Sequence, residues 1–143
     1  MKKLNVILIS LFVLTLFSCK DSTNKKLTNL STISKSKMEK GAQIYRAKCM
    51  TCHRKNGEGL IRVYPPLANS DFLEKRTEDA IRMIKYGSGE EIKVNGVKYK
   101  SYMPASGLKE KELSLVFNYI LNSWGNAYGR IEIETIKNIK EKK

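Results

Sequence analysis

The sequence predicts an all-α domain built from three main helices. Apolar residues recur at helical spacing in three segments, whereas runs of long strands and strand–helix alternation are missing from the sequence. The chain has 143 residues, which is enough for one small domain once export and linker segments are set aside. We expect the domain at residues 38–130.

The first two helices have recognisable sides and ends. The first is expected over residues 38–47, with Gly41 and Tyr45 on the side that faces the core. The second is expected to begin at Thr77, a good N-cap residue, and to end at Gly87, which favours helix termination. Both helices are therefore predicted from end signals as well as from periodicity.

The third helix and a short hairpin complete the prediction. The helix is expected over residues 110–123, where the apolar residues at helical spacing are Leu113, Val116, Phe117, Ile120 and Leu121. Between the second and third helices, residues 92–99 contain Asn95-Gly96, a strong signal for a two-residue hairpin turn. We expect a short hairpin there.

The N-terminus is typical of an export signal. Two lysines precede an apolar stretch at residues 4–17, which is shorter than the roughly 20 residues that span a membrane. Residues 1–18 are therefore predicted to be a signal peptide, and export excludes nucleic acid as a partner. The sequence Leu16-Phe17-Ser18-Cys19 resembles the bacterial lipobox, which implies a lipid on Cys19; the alternative is an ordinary cleaved signal.

The segments on either side of the domain are polar and basic. Residues 19–37 read as a lipidated cysteine followed by a flexible tether, and residues 131–143 as a basic tail that is a solvated end or a membrane-surface contact. The formal net charge of +13 suits acidic protein partners or an anionic membrane.

A C-x-x-C-H motif carries the chemistry. Cys49 and Cys52 have the spacing at which two thiols add to the vinyl groups of one haem, and His53 is then held as an axial ligand of the iron. The alternatives are a disulfide redox site, a structural zinc site and chance occurrence. Gly57 and Gly59 follow, either because the backbone passes close to the porphyrin or as an ordinary turn.

The second axial ligand is expected to be a methionine; the alternatives are a weak ligand, water or a group from elsewhere. His53 is the single histidine of the chain, so two-histidine ligation within one chain is excluded. Met38 and Met50 are poorly placed, and Met83 lies on the apolar stripe of the second helix. Met103 lies in an irregular stretch that Pro104 stiffens, and it is the expected ligand, with a core or surface methionine as the alternative.

Several motifs together resemble the class I cytochrome c family over most of residues 38–126. They are Gly41-x-x-x-Tyr45, Pro65-Pro66-Leu67, Tyr102-Met103-Pro104, Tyr119 and the segment NYILNSWGN at residues 118–126. The resemblance implies the cytochrome c fold: three main helices wrapped around one covalently bound haem c, with the hairpin before the methionine loop.

The same resemblance implies roles for single residues and for the protein. The carbonyl of Pro65, or alternatively of Pro66, accepts a hydrogen bond from His53. The iron is ligated by His53 and Met103, and the protein is a one-electron carrier and not an enzyme. The rival function is a haem enzyme or gas sensor with an open sixth position, for which a second histidine is lacking; a metal-free lipoprotein is a further rival.

An exported electron-transfer protein at a membrane surface is expected to exchange electrons with other redox proteins there. We expect acidic redox proteins, such as a terminal oxidase, a reductase or a quinol-oxidising complex, on the periplasmic side of a bacterial membrane to which Cys19 anchors the protein. Cations that flank the expected haem edge would steer them; these are Lys48, Arg54, Lys55, Lys98, Lys100 and Lys109. The alternative is a surface that is lysine-rich everywhere.

Overall fold

The computed structural model describes residues 33–142, so the signal peptide, Cys19 and most of the predicted tether lie outside the described residues. Within this part of the chain there are six helices and one two-stranded sheet. In chain order they are α1 (Lys35–Lys48), α2 (Met50–His53), α3 (Asp71–Lys75), α4 (Thr77–Tyr86), β1 (Ile92–Val94), β2 (Val97–Tyr99), α5 (Glu110–Leu121) and α6 (Ile133–Asn138). The prediction of a helix-rich domain with a short hairpin is confirmed. Across residues 33–142, no helix is both long enough and apolar enough to cross a membrane.

The first helix begins earlier than predicted. It starts at Lys35 rather than at residue 38, because Ser34 occupies the N-cap and its Oγ accepts a hydrogen bond from the Lys37 N–H at 3.4 Å. Residues 35–37, which composition assigns to the flexible tether, are therefore the first turn of α1. The polar composition of this turn reflects its exposure and not a lack of structure.

Helices α1 and α5 cross in direct contact at Gly41. A Cβ at this position would overlap the carbonyl oxygen of Leu115 and would lie 2.7 Å from the Cβ of Tyr119. One turn further, the ring of Tyr45 is 1% exposed and lies 5.6 Å from the Tyr119 ring and 4.9 Å from the Trp124 ring, centroid to centroid. Close backbone approach and an aromatic cluster thus hold the two helices together.

The start of α4 differs from the prediction that Thr77 caps it. Arg76 occupies the N-cap position, and Thr77 is the first helical residue. The Thr77 hydroxyl donates instead to the carbonyl of Leu73 in α3, at 2.7 Å. Periodicity did not reveal α3, so it could not show that this hydroxyl has a partner there.

The hairpin has the predicted turn, and α5 is slightly shorter than expected. Strands β1 and β2 pair antiparallel, with Ile92 opposite Tyr99. Asn95 and Gly96 both have positive φ values, 49° and 82°, as a type I′ turn requires. Helix α5 ends at Leu121 rather than at residue 123.

The C-terminal segment is not a solvated end. We call residues 131–142 the C-terminal strap. It contains α6, and it buries Ile136 (0% exposed) and Ile139 (6%) in the main core. The side chain of Asn118 in α5 fixes its beginning, since Nδ2 donates to the Ile131 carbonyl at 2.8 Å and Oδ1 accepts from the Ile131 N–H at 2.9 Å. The expectation of a solvated end was wrong because the many lysines concealed two buried apolar residues, whereas the alternative of a membrane-surface contact stays a prediction.

Candidate functional site

The two cysteines and the histidine of the motif occupy a tight junction between α1 and α2. The Cys49 N–H donates to the Tyr45 carbonyl, and the His53 N–H donates to the Cys49 carbonyl, both at 2.9 Å. Cys49 and Cys52 are partly buried, and no disulfide joins them. Burial, with a smaller effect of Cys52, raises the pKa of the Cys49 thiol to about 11.

The histidine is buried, and its orientation is fixed. His53 is 8% exposed, and its Nδ1 lies 2.9 Å from the carbonyl oxygen of Pro65. A carbonyl can only accept, so Nδ1 carries the proton and Nε2 keeps its lone pair. Burial lowers the pKa of His53, and the bond to Pro65 opposes this shift. The ring is thus a neutral imidazole with one nitrogen available to a metal.

The loop that presents the Pro65 carbonyl is held from both sides. The Leu67 N–H donates to the Gly57 carbonyl at 2.7 Å. Asn126, beyond the end of α5, donates from Nδ2 to the Leu67 carbonyl at 2.9 Å. The position of the His53 partner therefore depends on α5 as well as on the loop itself.

The two glycines after the motif are required by contacts within the protein. Gly57 has φ 68°, and a Cβ there would lie 2.6 Å from Cε3 of Trp124. Gly59 has φ 65°, and a Cβ there would lie 2.8 Å from the carbonyl oxygen of Pro65. Packing alone therefore excludes a side chain at both positions, which neither expectation from the sequence had included.

The methionine loop is attached to the end of α4. Met103 and Ser88 exchange backbone hydrogen bonds, at 2.7 Å from the Met103 N–H and 2.8 Å from the Ser88 N–H. The Ser106 N–H donates to the carbonyl of Ile84 at 3.0 Å. The methionine loop is thus attached at Met103 itself and again at Ser106 to residues at and just after the end of α4.

An apolar cleft joins these parts. It consists of two adjoining cavities of about 560 and 470 Å³, counting the space open to solvent, and both are lined by His53, Pro65, Met83, Ile92 and Met103. Cys49 lines the first cavity and Cys52 the second. Met38 and Met50 line neither, so the structure brings Met103 and Met83 to the cleft and leaves the other two candidates outside it.

These residues fit a covalently bound haem. The cleft offers two thiols, one imidazole with a free lone pair and thioether sulfurs, and its other lining is largely apolar. Within residues 33–142, no three His, Cys, Asp or Glu side chains are grouped as a bare metal site would require. Two thiols and one imidazole are the groups that attach a haem and ligate its iron on one side.

The outer rim of the cleft is more apolar than expected from the sequence. Tyr102 is 73% exposed beside Met103, and Val63, which lines the same cavity, belongs to a loop in which Ile61 is 69% exposed. One of the predicted steering cations, Lys98, is paired with Glu91 at 2.9 Å. Ile61 and Val63 lie in the run LIRVY at residues 60–64, shortly after the motif. This run has no helical or strand periodicity, and that was the sequence feature that could have indicated an exposed apolar loop.

Comparison with known proteins gives a consistent result. The family model described as cytochrome c matches residues 38–124. A cytochrome c-552 of Thermus thermophilus is 35% identical over 113 residues, which cover 72% of this chain and 86% of that protein. The cytochrome c subunit of a quinone alcohol dehydrogenase of Gluconacetobacter polyoxogenes is 33% identical over 89 residues, covering 60% of this chain and 19% of that subunit. The fructose dehydrogenase cytochrome subunit of Gluconobacter japonicus is 25% identical over 124 residues, covering 83% of this chain and 25% of that subunit.

Proposed function

This chain belongs to the cytochrome c family, and we propose that it is a lipid-anchored electron carrier whose iron is ligated by His53 and Met103. Family membership implies a covalently bound haem c and electron transfer, and the Cys49–Cys52 pair fits its attachment. The proposal adds the ligand pair, the anchor and the type of partner.

One observation carries the ligand assignment. The His53 Nδ1 proton is directed to the Pro65 carbonyl, and Met103 lines the same cavities as that imidazole. Met103 is favoured over Met83 because it lies in an irregular loop that is fixed by hydrogen bonds at Met103 and at Ser106, whereas Met83 lies within α4. A carbonyl partner of this kind fixes the ring plane and increases the basicity of Nε2.

The residues of the chain would support outer-sphere electron transfer. The bound haem supplies an iron that alternates between the ferric and ferrous states. With His53 and Met103 in the two axial positions, no coordination site is open to a substrate. The apolar side chains of the cleft would exclude water, and the soft sulfur of Met103 would favour the reduced state.

The rim of the cleft suggests how a partner would dock. Exposed Ile61 and Tyr102 offer an apolar centre beside the cavity that Cys52 lines. Arg62, next to Ile61, and Lys100, two residues before Tyr102, are exposed cations without an ion pair in the described part of the chain. This pattern suits a redox protein with an apolar centre and an acidic rim, such as an oxidase, a reductase or a quinol-oxidising complex.

A lipid on Cys19 would place the carrier at the periplasmic surface of a bacterial membrane. The proposal rests on the lipobox-like sequence that ends the apolar stretch. In a host that processes lipoproteins, we expect Cys19→Ser to move the haem protein from the membrane fraction to the soluble fraction. Retention of the variant in the membrane fraction would contradict the anchor while leaving the haem assignment intact.

The ligand assignment is tested by absorption spectra of the protein made in a haem-attaching host. We expect a c-type spectrum on reduction and a far-red sulfur-to-iron band in the ferric state. The band should disappear in Met103→Leu and persist in Met83→Leu, a matched change of similar volume in the same cleft. Loss of the band only in Met83→Leu would reverse the assignment. A wild-type haem without the band would favour an enzyme or sensor with an open position.

A further inference from the structure

The C-terminal strap binds the last turns of α4 through its backbone carbonyls. The Lys85 Nζ donates to the carbonyls of Ile136 (3.0 Å) and Ile139 (3.2 Å), and the Tyr86 hydroxyl donates to that of Ile139 (3.0 Å). The Arg82 Nε adds a bond to the Lys140 carbonyl at 2.9 Å. The Ile136 carbonyl also accepts from the Ile139 N–H at 3.3 Å, so Lys85 adds a second donor there, and a cation at the C-terminal end of a helix interacts favourably with its dipole.

The same stretch of α4 holds the methionine loop. Ile84, whose carbonyl accepts from the Ser106 N–H, directly precedes Lys85. Ser88, which exchanges two hydrogen bonds with Met103, follows Tyr86 after a single residue. Residues 82–86 therefore form hydrogen bonds with the strap, while residues 84–88 form hydrogen bonds with the methionine loop.

Gly87, which connects Tyr86 to Ser88, leaves the end of α4 little room to move relative to the methionine loop. Gly87 has φ 84°, and a Cβ on it would lie 3.0 Å from the Met103 carbonyl oxygen and 3.0 Å from the Ala105 nitrogen. The backbone of α4 thus ends in contact with the backbone of the methionine loop. A displacement of the last turn of α4 would be passed on to Met103.

We propose that the C-terminal strap holds the methionine loop in place through α4, with Lys85 and Tyr86 as positioning residues. The proposal rests on the proposed function insofar as Met103 is the axial ligand. Loosening the strap would increase the rate at which the loop opens, and Met103 would then leave the iron more often. The strap is therefore a device that keeps the sixth coordination position closed.

The test compares single-group changes in the haem-loaded protein. Tyr86→Phe removes one hydroxyl, and Lys85→Met removes the cation while keeping an apolar stem. The matched control is Asn122→Ala, because the Asn122 Nδ2 donates to the carbonyls of Asn118 (2.9 Å) and Gly129 (2.8 Å) and bonds nothing in α4. The control weakens the hydrogen bonding between the end of α5 and the segment that precedes the strap. It leaves the contacts from the strap through α4 to Met103 intact.

Two readouts are needed. The first is the hydrogen exchange rate of the Ser88 and Met103 amides, and the second is the rate at which added imidazole replaces the sixth ligand in the ferric protein. We expect both rates to increase about fivefold in Tyr86→Phe, which corresponds to the loss of one hydrogen bond, and more in Lys85→Met. In Asn122→Ala both rates should stay near the wild-type values although the urea midpoint falls.

The outcomes separate this proposal from the proposed function. Unchanged amide exchange in Tyr86→Phe and Lys85→Met would overturn the role of the strap, as would equal acceleration in Asn122→Ala. A wild-type protein without the far-red band would instead refute Met103 ligation. Amide exchange would then still decide whether the strap holds the loop, because that readout does not depend on the iron.

Discussion

Replacement of Gly41 by alanine tests the contact between α1 and α5 most directly. In an exposed helix this change stabilises the protein by about 1 kcal/mol, because alanine has the higher helix propensity. Here the new methyl group would overlap the Leu115 carbonyl oxygen and lie 2.7 Å from the Cβ of Tyr119, where ordinary contact begins at 3.4 Å. The Tyr119 contact alone would require the helices to move apart by about 0.7 Å, and the overlap with the Leu115 oxygen requires more.

The sign of the effect follows from what the methyl group meets. A flexible side-chain end could move aside, but a backbone oxygen and a Cβ move only with their helix. Overpacking of this kind costs about 1–3 kcal/mol, and at the upper end it exceeds the gain in propensity. Overlap with a backbone oxygen places this change in the upper part of that range, at about 2–3 kcal/mol. After subtraction of the propensity gain, we expect Gly41→Ala to reduce the free energy of unfolding by about 1–2 kcal/mol.

Urea denaturation of the haem-loaded protein, followed by helical circular dichroism, measures this loss as a midpoint lower by about 0.5–1 M. Gly89→Ala is the matched control. A Cβ at Gly89 would meet nothing nearer than Tyr102 Cδ2 at 3.7 Å, so this variant should equal or slightly exceed the wild-type stability. A Gly41→Ala protein as stable as the Gly89→Ala protein would refute the crossing described for α1 and α5.

Three further predictions address the core, the proximal loop and the acid response. Ile136→Ala should lower the free energy of unfolding by about 2–5 kcal/mol, because the side chain is fully buried; a urea midpoint unchanged from wild type would mean that the strap is solvated after all. Asn126→Ala should cost about 1–3 kcal/mol in the same assay, since the Leu67 carbonyl and other buried groups lose their partner, and a cost below that of a typical surface change would contradict the network. A hydrogen bond from Arg76, with the nearby cations, lowers the pKa of Asp79, so its contribution to stability is present above pH about 4 and is lost as the pH falls through the lowered pKa. Asp79→Asn should therefore flatten the decline of stability in acid, and an identical pH profile would refute this account.

The parts of the site that are local in sequence could be predicted from the sequence. The spacing of Cys49, Cys52 and His53 is itself the attachment geometry, and Asn95-Gly96 determines a turn by backbone preference alone. The apolar period of α5 likewise indicated its buried side. Each of these signals lies within a few residues, so no knowledge of distant contacts was needed.

The parts that depend on distant contacts were missed. The strap was predicted to be solvated because it is rich in lysine. Ile136 and Ile139 are nevertheless buried in the core, and their burial depends on α4 and α5 being in place. Gly57 was interpreted in relation to the porphyrin, although the indole of Trp124 already excludes a side chain there. Composition averages over neighbours in sequence and therefore cannot detect a partner that lies many residues away.

The irregular walls of the cleft are supported by side chains in addition to a few backbone hydrogen bonds. The loop after His53 and the loop around Met103 belong to no regular sheet that would pair their backbone groups, and unpaired buried backbone groups are costly. Asn126 therefore serves the proximal loop, and Lys85 and Tyr86 serve the strap behind the methionine loop. Asn126 reaches the proximal loop from beyond the end of α5, and α4 reaches the methionine loop through Ile84 and the strap through Lys85 and Tyr86. A displacement of α4 would therefore move the Met103 loop, which is why the strap, far from the motif in sequence, bears on the coordination site.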